Sequence, residues 1–481
     1  MMDVKIRSII LYLGIFIIFS WLNCQTNPTE KFIDLIDSGE FTEAGNQITE
    51  YLETENNLSA EQREILLFEL ERMDRIEKDF KATRSDVLDF IREYIPDVTE
   101  KDIIRWENEK SLEYMIIDGQ KRYFNRAARN LFRIDSSCIR IWKETHPEQS
   151  SEKKFDLDQH ISDVMAQSRE SSNGWSTPVR IKVKYTITIP ENTVPRGETI
   201  RCWIPYPREI TDRQVNIEYL SSEPEQHVIA PPQYLQRTIY FEKQTVQDNE
   251  TEFLVEYAYT SHGFYKEIQP EKIQNLTTEA QLNDFLREEP PHILFSDELK
   301  ALSNKIVGGE ENPYRIARLL YTWVDQNIPW ASAREYSTIR NISEYCLQNR
   351  HGDCGIKALF YITLLRLNGI PARWQSGWEF QPPHHNMHDW GMLYFEPYGW
   401  MPMDVDYGMR TSENESKKYF YLNGMDSYRL VFNDAISQEF FPPKKHFRSE
   451  TIDSQRGEIE WDGGNLYFDQ WDWNIEFEVI D

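Results

Sequence analysis

The chain has 481 residues, 40% of them apolar and 13% aromatic, and a formal net charge of −27, which excludes a disordered chain and provides for about two to four domains. So large an acidic excess repels nucleic-acid phosphates and anionic membrane surfaces, so neither is expected as a partner of the bulk of the chain. Five cysteines in so long a chain, with no C-x-x-C pair, argue against a disulfide framework and against a structural zinc site.

Lys5 and Arg7 precede an apolar run from Ile9 to Leu22, which is short for a membrane span. Residues 1–24 therefore read as a secretory signal, and the protein is expected to be exported to a bacterial cell envelope. Cys24, directly after the run, resembles the lipidation site of bacterial lipoproteins, although Trp21-Leu22-Asn23 lacks the small residues usual before such a cysteine. A soluble periplasmic or secreted protein and an uncleaved anchor stay open beside it. Membrane attachment is expected only through this segment or through a lipid on Cys24.

Residues 29–145 are expected to form a helical region. Ser59 and Gln62 make a capping box ahead of an apolar-periodic run ending at Met73, and Thr99 with Asp102 opens a second run with Ile103, Ile104 and Trp106. Phe124, Ala128, Leu131 and Phe132 mark a third. A scaffold or spacer is the expected role. Pro147 to Gly174 is polar and ends in Ser-Ser-Asn-Gly, which reads as a linker.

The period then changes. Val179 to Ile189 alternates apolar and polar residues, the signature of a half-buried strand, and further strands are predicted over 199–204, 214–220, 238–242 and 252–259. Their spacing predicts an antiparallel β-sandwich over 175–265. Helical periodicity returns over 294–328, where Ser296 is a cap and Asn312-Pro313 opens the run from Arg315 to Val324.

The chemistry-bearing stretch runs from His351 to Tyr407. Ala358, Ile362 and Leu365 recur at helical spacing, Asn368-Gly369 ends the helix and Pro371 forbids its continuation, so Cys354 falls in the first turn. Unpaired amides and the helix dipole there favour a thiolate and can stabilise an oxyanion. His388 opens a predicted strand, and after a turn at 397–399 a second strand brings Asp404 back towards it. Cys354, His388 and Asp404 would then act as nucleophile, base and orienter.

The linked motifs Gly352-Asp-Cys354, Arg366-x-x-Gly-Ile-Pro-Ala-Arg373, His388-x-Trp390 and Gly399-Trp-x-x-x-Asp404 resemble the transglutaminase-like superfamily of papain-related cysteine enzymes, over roughly residues 290–410. Matched one by one, Cys354, His388 and Asp404 take the places of the family's nucleophile, histidine and acid. The family often has Asp-Pro at the third position, whereas Val405 and Asp406 follow here, so Asp406 stays a second candidate. The resemblance implies an α+β fold: a papain-like transglutaminase core at 290–481 with a C-terminal β extension, preceded by the sandwich and the helical region. It further implies a side-chain oxyanion donor upstream of the nucleophile, for which Gln326 and Trp330 are the candidates.

Trp378, Trp390 and Trp400 are candidates for lining a substrate groove, with core packing as the alternative. His384 and His385 would sit in a loop; Pro382-Pro383 blocks the helix a zinc site would need, so no metal and no cofactor is expected. Cys138 and Cys202 read as buried filler, and Cys346 as filler or a redox partner. A strand-rich, acidic tail over 457–481 suggests a last hairpin pairing with an existing sheet. The expected function is acyl transfer from a protein or peptide amide, to water or to an amine, through a thioester on Cys354. The alternative is an inactive envelope module that binds peptide or glycan in the same groove.

Overall fold

The computed structural model describes residues 28–146, 155–274, 276 and 280–480. The predicted signal and Cys24 lie outside them. Among the described residues no helix is long and apolar enough to cross a membrane. The chain divides into two compact units between Leu70 and Glu71. In the first, α1 (Pro28–Asp37) packs on α2 (Phe41–Thr54) through Phe32, Ile36, Phe41, Ala44 and Ile48, all buried. The helix α3 (Ala60–Asp79) follows, opened by the Ser59 and Gln62 capping box: Gln62 N donates to Ser59 Oγ at 3.1 Å and Ser59 N to Gln62 Oε1 at 3.0 Å.

The second unit begins within α3, at Glu71, and continues with α4 (Arg84–Arg92) and α5 (Glu100–Asn108), the latter capped by Thr99 and Asp102 as its sequence predicts. A hairpin then interrupts the region expected to be helical: β1 (Tyr114–Ile117) pairs antiparallel with β2 (Gln120–Tyr123). Asp118 and Gly119 turn it with φ of 45° and 76°, the positive values a two-residue type I′ turn requires. Next come α6 (Ala127–Ile134) and α7 (Ser136–Thr145). The expected linker also differs, because α8 (Leu157–Glu170) occupies half of it. Ile161, Val164 and Met165 sit at helical spacing among polar neighbours and are buried in the same core as Phe264 and Tyr265, so a few well-placed apolar groups outweigh the polar average.

The sandwich is built from β3 (Trp175–Ile189), β4 (Thr199–Pro205), β5 (Gln214–Glu223), β6 (Val228–Ile229), β7 (Thr238–Gln244) and β8 (Thr251–Tyr265). On β3 the alternating residues Ile181, Val183, Tyr185, Ile187 and Ile189 are the buried ones. After a short helix α9 (Ala280–Asn283) come α10 (Asp297–Val307), α11 (Pro313–Asn327), α12 (Ile342–Asn349) and α13 (Cys354–Leu367). Ser296 and Asn312 cap α10 and α11 by accepting from Leu299 N and Arg315 N. The site sheet follows: β9 (Ala372–Glu379), β10 (Asn386–Phe395) and β11 (Gly399–Met403), then β12 (Gly424–Met425) and β13 (Arg429–Asn433), in the antiparallel order β11-β10-β9-β13 with β12 pairing β8 instead.

The tail closes the sandwich. From β14 (Glu458–Trp461) and β15 (Gly464–Asn465) the chain reaches β16 (Asp472–Ile480). One sheet runs β15-β14-β4-β7-β6, and the other runs β12-β8-β3-β16 with β5 also on β8. Residues 458–480 thus complete both sandwich sheets, although in sequence they follow the site sheet. Trp378, Phe380, Leu430 and Phe432 from the site sheet enter the sandwich core, with the Trp378 ring 4.8 Å from that of Tyr185 and tilted to it by 32°.

A chain ended at Arg456 would lose Ile459, Leu466, Trp471 and Ile475, all buried. At about 1.5–3 kcal/mol for each large apolar side chain, the loss matches the whole stability of an ordinary domain. This truncation is expected to abolish the cooperative unfolding transition seen by near-UV circular dichroism in urea.

Candidate active site

Cys354 sits in the first turn of α13, half-buried. Asp353 caps the helix: its Oδ1 accepts from Ile356 N at 3.1 Å and its carbonyl from Lys357 N at 3.0 Å. The first-turn amides of Cys354 and Gly355 have no acceptor within the helix and are free to serve an oxyanion. The preceding loop is held in place by Ala331 N donating to Gly352 O at 3.0 Å and Gly352 N to Pro329 O at 3.3 Å.

His388 lies on β10 opposite Gly377 of β9, and Asp404 follows the end of β11. The antiparallel pairing of β10 with β11 returns the chain so that His388 Nε2 meets Asp404 Oδ2 at 2.8 Å, with both side chains buried. Asp404 Oδ1 accepts from Asp406 N at 3.0 Å and Tyr407 N at 3.2 Å. Arg429 on β13 donates through one guanidinium nitrogen to Asp404 at 3.0 Å and through Nε to Asp426 at 2.9 Å. Burial works against a charged Asp404, but His388, Arg429 and these donors hold its pKa far below the usual carboxylate range. Burial likewise opposes an imidazolium, yet Asp404 and Glu379 raise the His388 pKa above its ordinary value. Asp406, the second candidate, instead pairs with Lys357 of α13 at 2.8 Å.

The sulfur has a different partner from the one its sequence suggests. Cys354 Sγ donates to Asp389 Oδ2 at 3.3 Å, and among the described residues it makes no hydrogen bond to His388. Strand alternation explains this: His388 and Trp390 take one face of β10, while Asp389 and Gly391 take the face towards α13. Burial, then Asp389 and Asp353, push the thiol pKa well above its usual value. A helix N-terminus contributes about 0.3–1 kcal/mol to a thiolate. Two like charges about 4 Å apart cost about 4 kcal/mol at an effective dielectric of 20. The dipole therefore loses whenever Asp389 is ionised, which corrects the expectation that position in the helix makes the thiolate.

Among the oxyanion candidates, Gln326 is exposed in the last turn of α11. Trp330 is 41% exposed and its ring lies under Arg133 at 4.5 Å, while its backbone bridges to Gly352, two residues before the nucleophile. The groove candidates Trp378 and Trp390 are fully buried, so neither faces a substrate: Trp378 fills the sandwich core and Trp390 donates to Gln375 Oε1 at 3.1 Å. Trp400 is partly exposed but packs edge-on to Phe285 at 5.0 Å, with Arg373 over its ring. His384 and His385 are exposed, and no metal-holding cluster occurs among the described residues. Cys138, Cys202 and Cys346 are buried free thiols.

Several residues of the site escaped the sequence reading. Arg429 was hidden in a segment legible only as loop and strand. Asp389, Asp453, Gln455 and Tyr336 are brought together from three separate stretches. The one local signal was Asp389 itself, a carboxylate at an inward position of an otherwise apolar strand.

Residues 300–405, the segment that carries Cys354, His388 and Asp404, match the model of the transglutaminase-like superfamily. This segment is a transglutaminase-like domain. No curated protein matches the chain significantly. Among solved structures, a candidate cysteine protease from Cytophaga hutchinsonii is similar at 15% identity and a TM-score of 0.44, over 64% of this chain and 92% of that one. The periplasmic domain of TgpA from Pseudomonas aeruginosa is similar at 14% identity and a TM-score of 0.24, over 53% and 92%. Likeness at this level fixes no activity.

Arg429, beyond the matched segment, is the cation that keeps two buried carboxylates, Asp404 and Asp426, ionised, and all three side chains have no solvent exposure. Removing one partner of such a group costs about 3–5 kcal/mol, because the remaining charges are left uncompensated. Arg429→Met is expected to lower the unfolding free energy measured by urea denaturation by that much, and Arg429→Lys by less.

Proposed function

We propose that the protein is a cysteine-dependent enzyme that acts on amide bonds of a protein or peptide. The observation that carries this reading is the buried His388 to Asp404 hydrogen bond of 2.8 Å beside a helix whose first turn presents a half-buried cysteine. The proposed cycle carries the Cys354 proton to His388 through a relaying water, because His388 takes the face of β10 opposite the one that meets the sulfur; Nδ1 is the nitrogen left available by the Nε2 bond to Asp404. The sulfur attacks the amide carbonyl, and the amides of Cys354 and Gly355 hold the oxyanion. His388 then protonates the leaving amine, and water or a second amine resolves the thioester. Asp404 fixes the tautomer and balances the imidazolium. Export to a bacterial envelope, free in the periplasm or lipid-anchored through Cys24, is part of the proposal and rests on the character of residues 1–24.

A second reading, an inactive module binding peptide or glycan, is favoured by one observation: the thiol is bonded to a carboxyl rather than to the imidazole. A thiol-reactive probe separates the two. Fast labelling of Cys354 at neutral pH that is lost in His388→Ala supports the enzyme, and labelling no faster than an ordinary exposed thiol supports the module.

The direct test is incubation with a peptide library plus a labelled primary amine. Cleaved peptide identifies a hydrolase and amine-adducted glutamine a transamidase, both absent with Cys354→Ala. No product with the intact chain would sink the enzyme reading. Asp404→Asn is expected to lower turnover by about a thousandfold or more, measured at saturating peptide.

A further inference from the structure

Behind the sulfur lies a group of buried acids that the proposed cycle leaves unused. Asp389 is 2% exposed, and its Oδ2 stands 3.3 Å from Cys354 Sγ and 3.2 Å from the Tyr336 hydroxyl. Its Oδ1 accepts from Gln455 Nε2 at 2.6 Å. The orientation of that amide is fixed, because the same nitrogen also donates to His388 O at 3.0 Å and Gly377 O at 3.4 Å. Asp453 lies on the same face of the site sheet, also 2% exposed, and accepts from Gln455 N at 3.4 Å and, at 2.6 Å, from the Oγ of Ser376, the residue opposite Asp389 in the β9 and β10 pairing. Two carboxyl groups buried in one small region repel as anions, which favours a proton remaining on one of them.

The surrounding charges decide which one. Asp453 has Arg448 nearby and donors in Ser376 Oγ and Gln455 N, all of which favour its ionised form. Asp389 faces Asp453 and the helix-capping Asp353, with no cation beside it among its principal neighbours. Asp353 is itself pushed up to about 6 by burial. Glu450 adds a further acid next to Asp453, and Arg456 is tied to Glu335 at 2.7 Å. His388 points to the opposite face, where Asp404 holds it. Burial, then Asp453 and Asp353, push Asp389 well above the usual carboxylate range.

We propose that Asp389 and Asp453 form an acid pair that retains one proton on Asp389, and that this neutral acid is what allows Cys354 to ionise. The inference rests on Cys354 being the nucleophile. While the pair holds its proton, the sulfur has an uncharged neighbour, and the thiol can release its proton into the relay that the proposed cycle requires to reach His388. When the pair loses its proton, two anions would stand 3.3 Å apart, and Cys354 is pinned as a thiol bonded to Asp389 carboxylate. Asp389 therefore touches a reacting atom, and Asp453 is a positioning residue acting through it.

The pair is tested by the rate of iodoacetamide alkylation of Cys354 against pH in the full chain, with the modified cysteine identified by mass spectrometry. The wild-type profile is expected to carry a second ionisation besides that of the thiol and imidazole. Asp389→Asn, which is neutral at every pH, should lose that ionisation and leave a profile with the thiol and imidazole steps alone. Asp453→Asn removes the charge that opposes ionisation of Asp389, so the second step moves to lower pH and alkylation at neutral pH slows about tenfold, one pKa unit. A superimposable profile for Asp389→Asn, or an unmoved one for Asp453→Asn, overturns the proposal. If either variant fails to fold, the wild type decides: infrared difference spectra on alkylation at neutral pH must show a protonated-carboxyl band that shifts, and its absence is equally fatal. Alkylation needs no substrate, so a chain with the expected profiles and no amide turnover would retain the pair and lose the enzyme reading. Turnover that depends on Cys354 without those profiles would do the reverse.

Discussion

The site depends on how closely the first turn of α13 seats against β10. Gly355 makes that approach possible: a Cβ there would lie 2.1 Å from the Tyr336 hydroxyl and 2.7 Å from Asp389 Oδ2. Gly391, on β10, leaves similar room: a Cβ there would lie 2.3 Å from the Met403 methyl and 2.8 Å from the Arg373 carbonyl, with Ile362 of α13 next at 3.4 Å. With these two side chains removed, a helix buried on all sides can bring its N-terminal cysteine to the surface of the sheet. The sequence motif around Cys354 is therefore as much about packing as about chemistry.

The close seating puts carboxyl groups in two opposite electrostatic states within one small region. Asp404 is fully buried yet ionised, because His388, Arg429 and two backbone amides all present positive charge or protons to it. Asp389, one residue along the strand from His388, is equally buried and faces acids instead. The same side-chain chemistry gives a permanent anion on one face of β10 and a proton-retaining acid on the other. Alternation along the strand separates these two environments, so the imidazole sees the first and the sulfur the second.

The C-terminal segment explains why the sandwich and the site sheet form one unit. The strands β14 and β16 complete the two sandwich sheets, and the loop between β13 and β14 carries Asp453 and Gln455 into the site on the way. Trp378 and Leu430 fasten the site sheet to the sandwich core from the other side. A change in the sandwich can thus reach the nucleophile through Gln455, whose amide holds both Asp389 and the His388 carbonyl.

Periodicity alone determined much of this protein: the strands of the sandwich, the capped helices α5, α10, α11 and α13, and the placing of Cys354 at a helix start, because each depends on neighbours a few residues away. The ordered motifs from Gly352 to Asp404 likewise carried the family, since a strand, a turn and a returning strand suffice to bring Asp404 to His388. What only the tertiary structure decided involves partners far apart in the chain. The helix α8 is polar on average and takes its place through three buried side chains that find Phe264 and Tyr265. The β1 and β2 hairpin is too short for its alternation to outweigh the helical stretches around it. Trp378 and Trp390 became core rather than groove because the sandwich covers one and Gln375 holds the other. The contact of Cys354 with Asp389 could not be read from sequence, because the state of that acid depends on Asp453, 64 positions later, and a Coulomb interaction between buried groups follows distance in space alone.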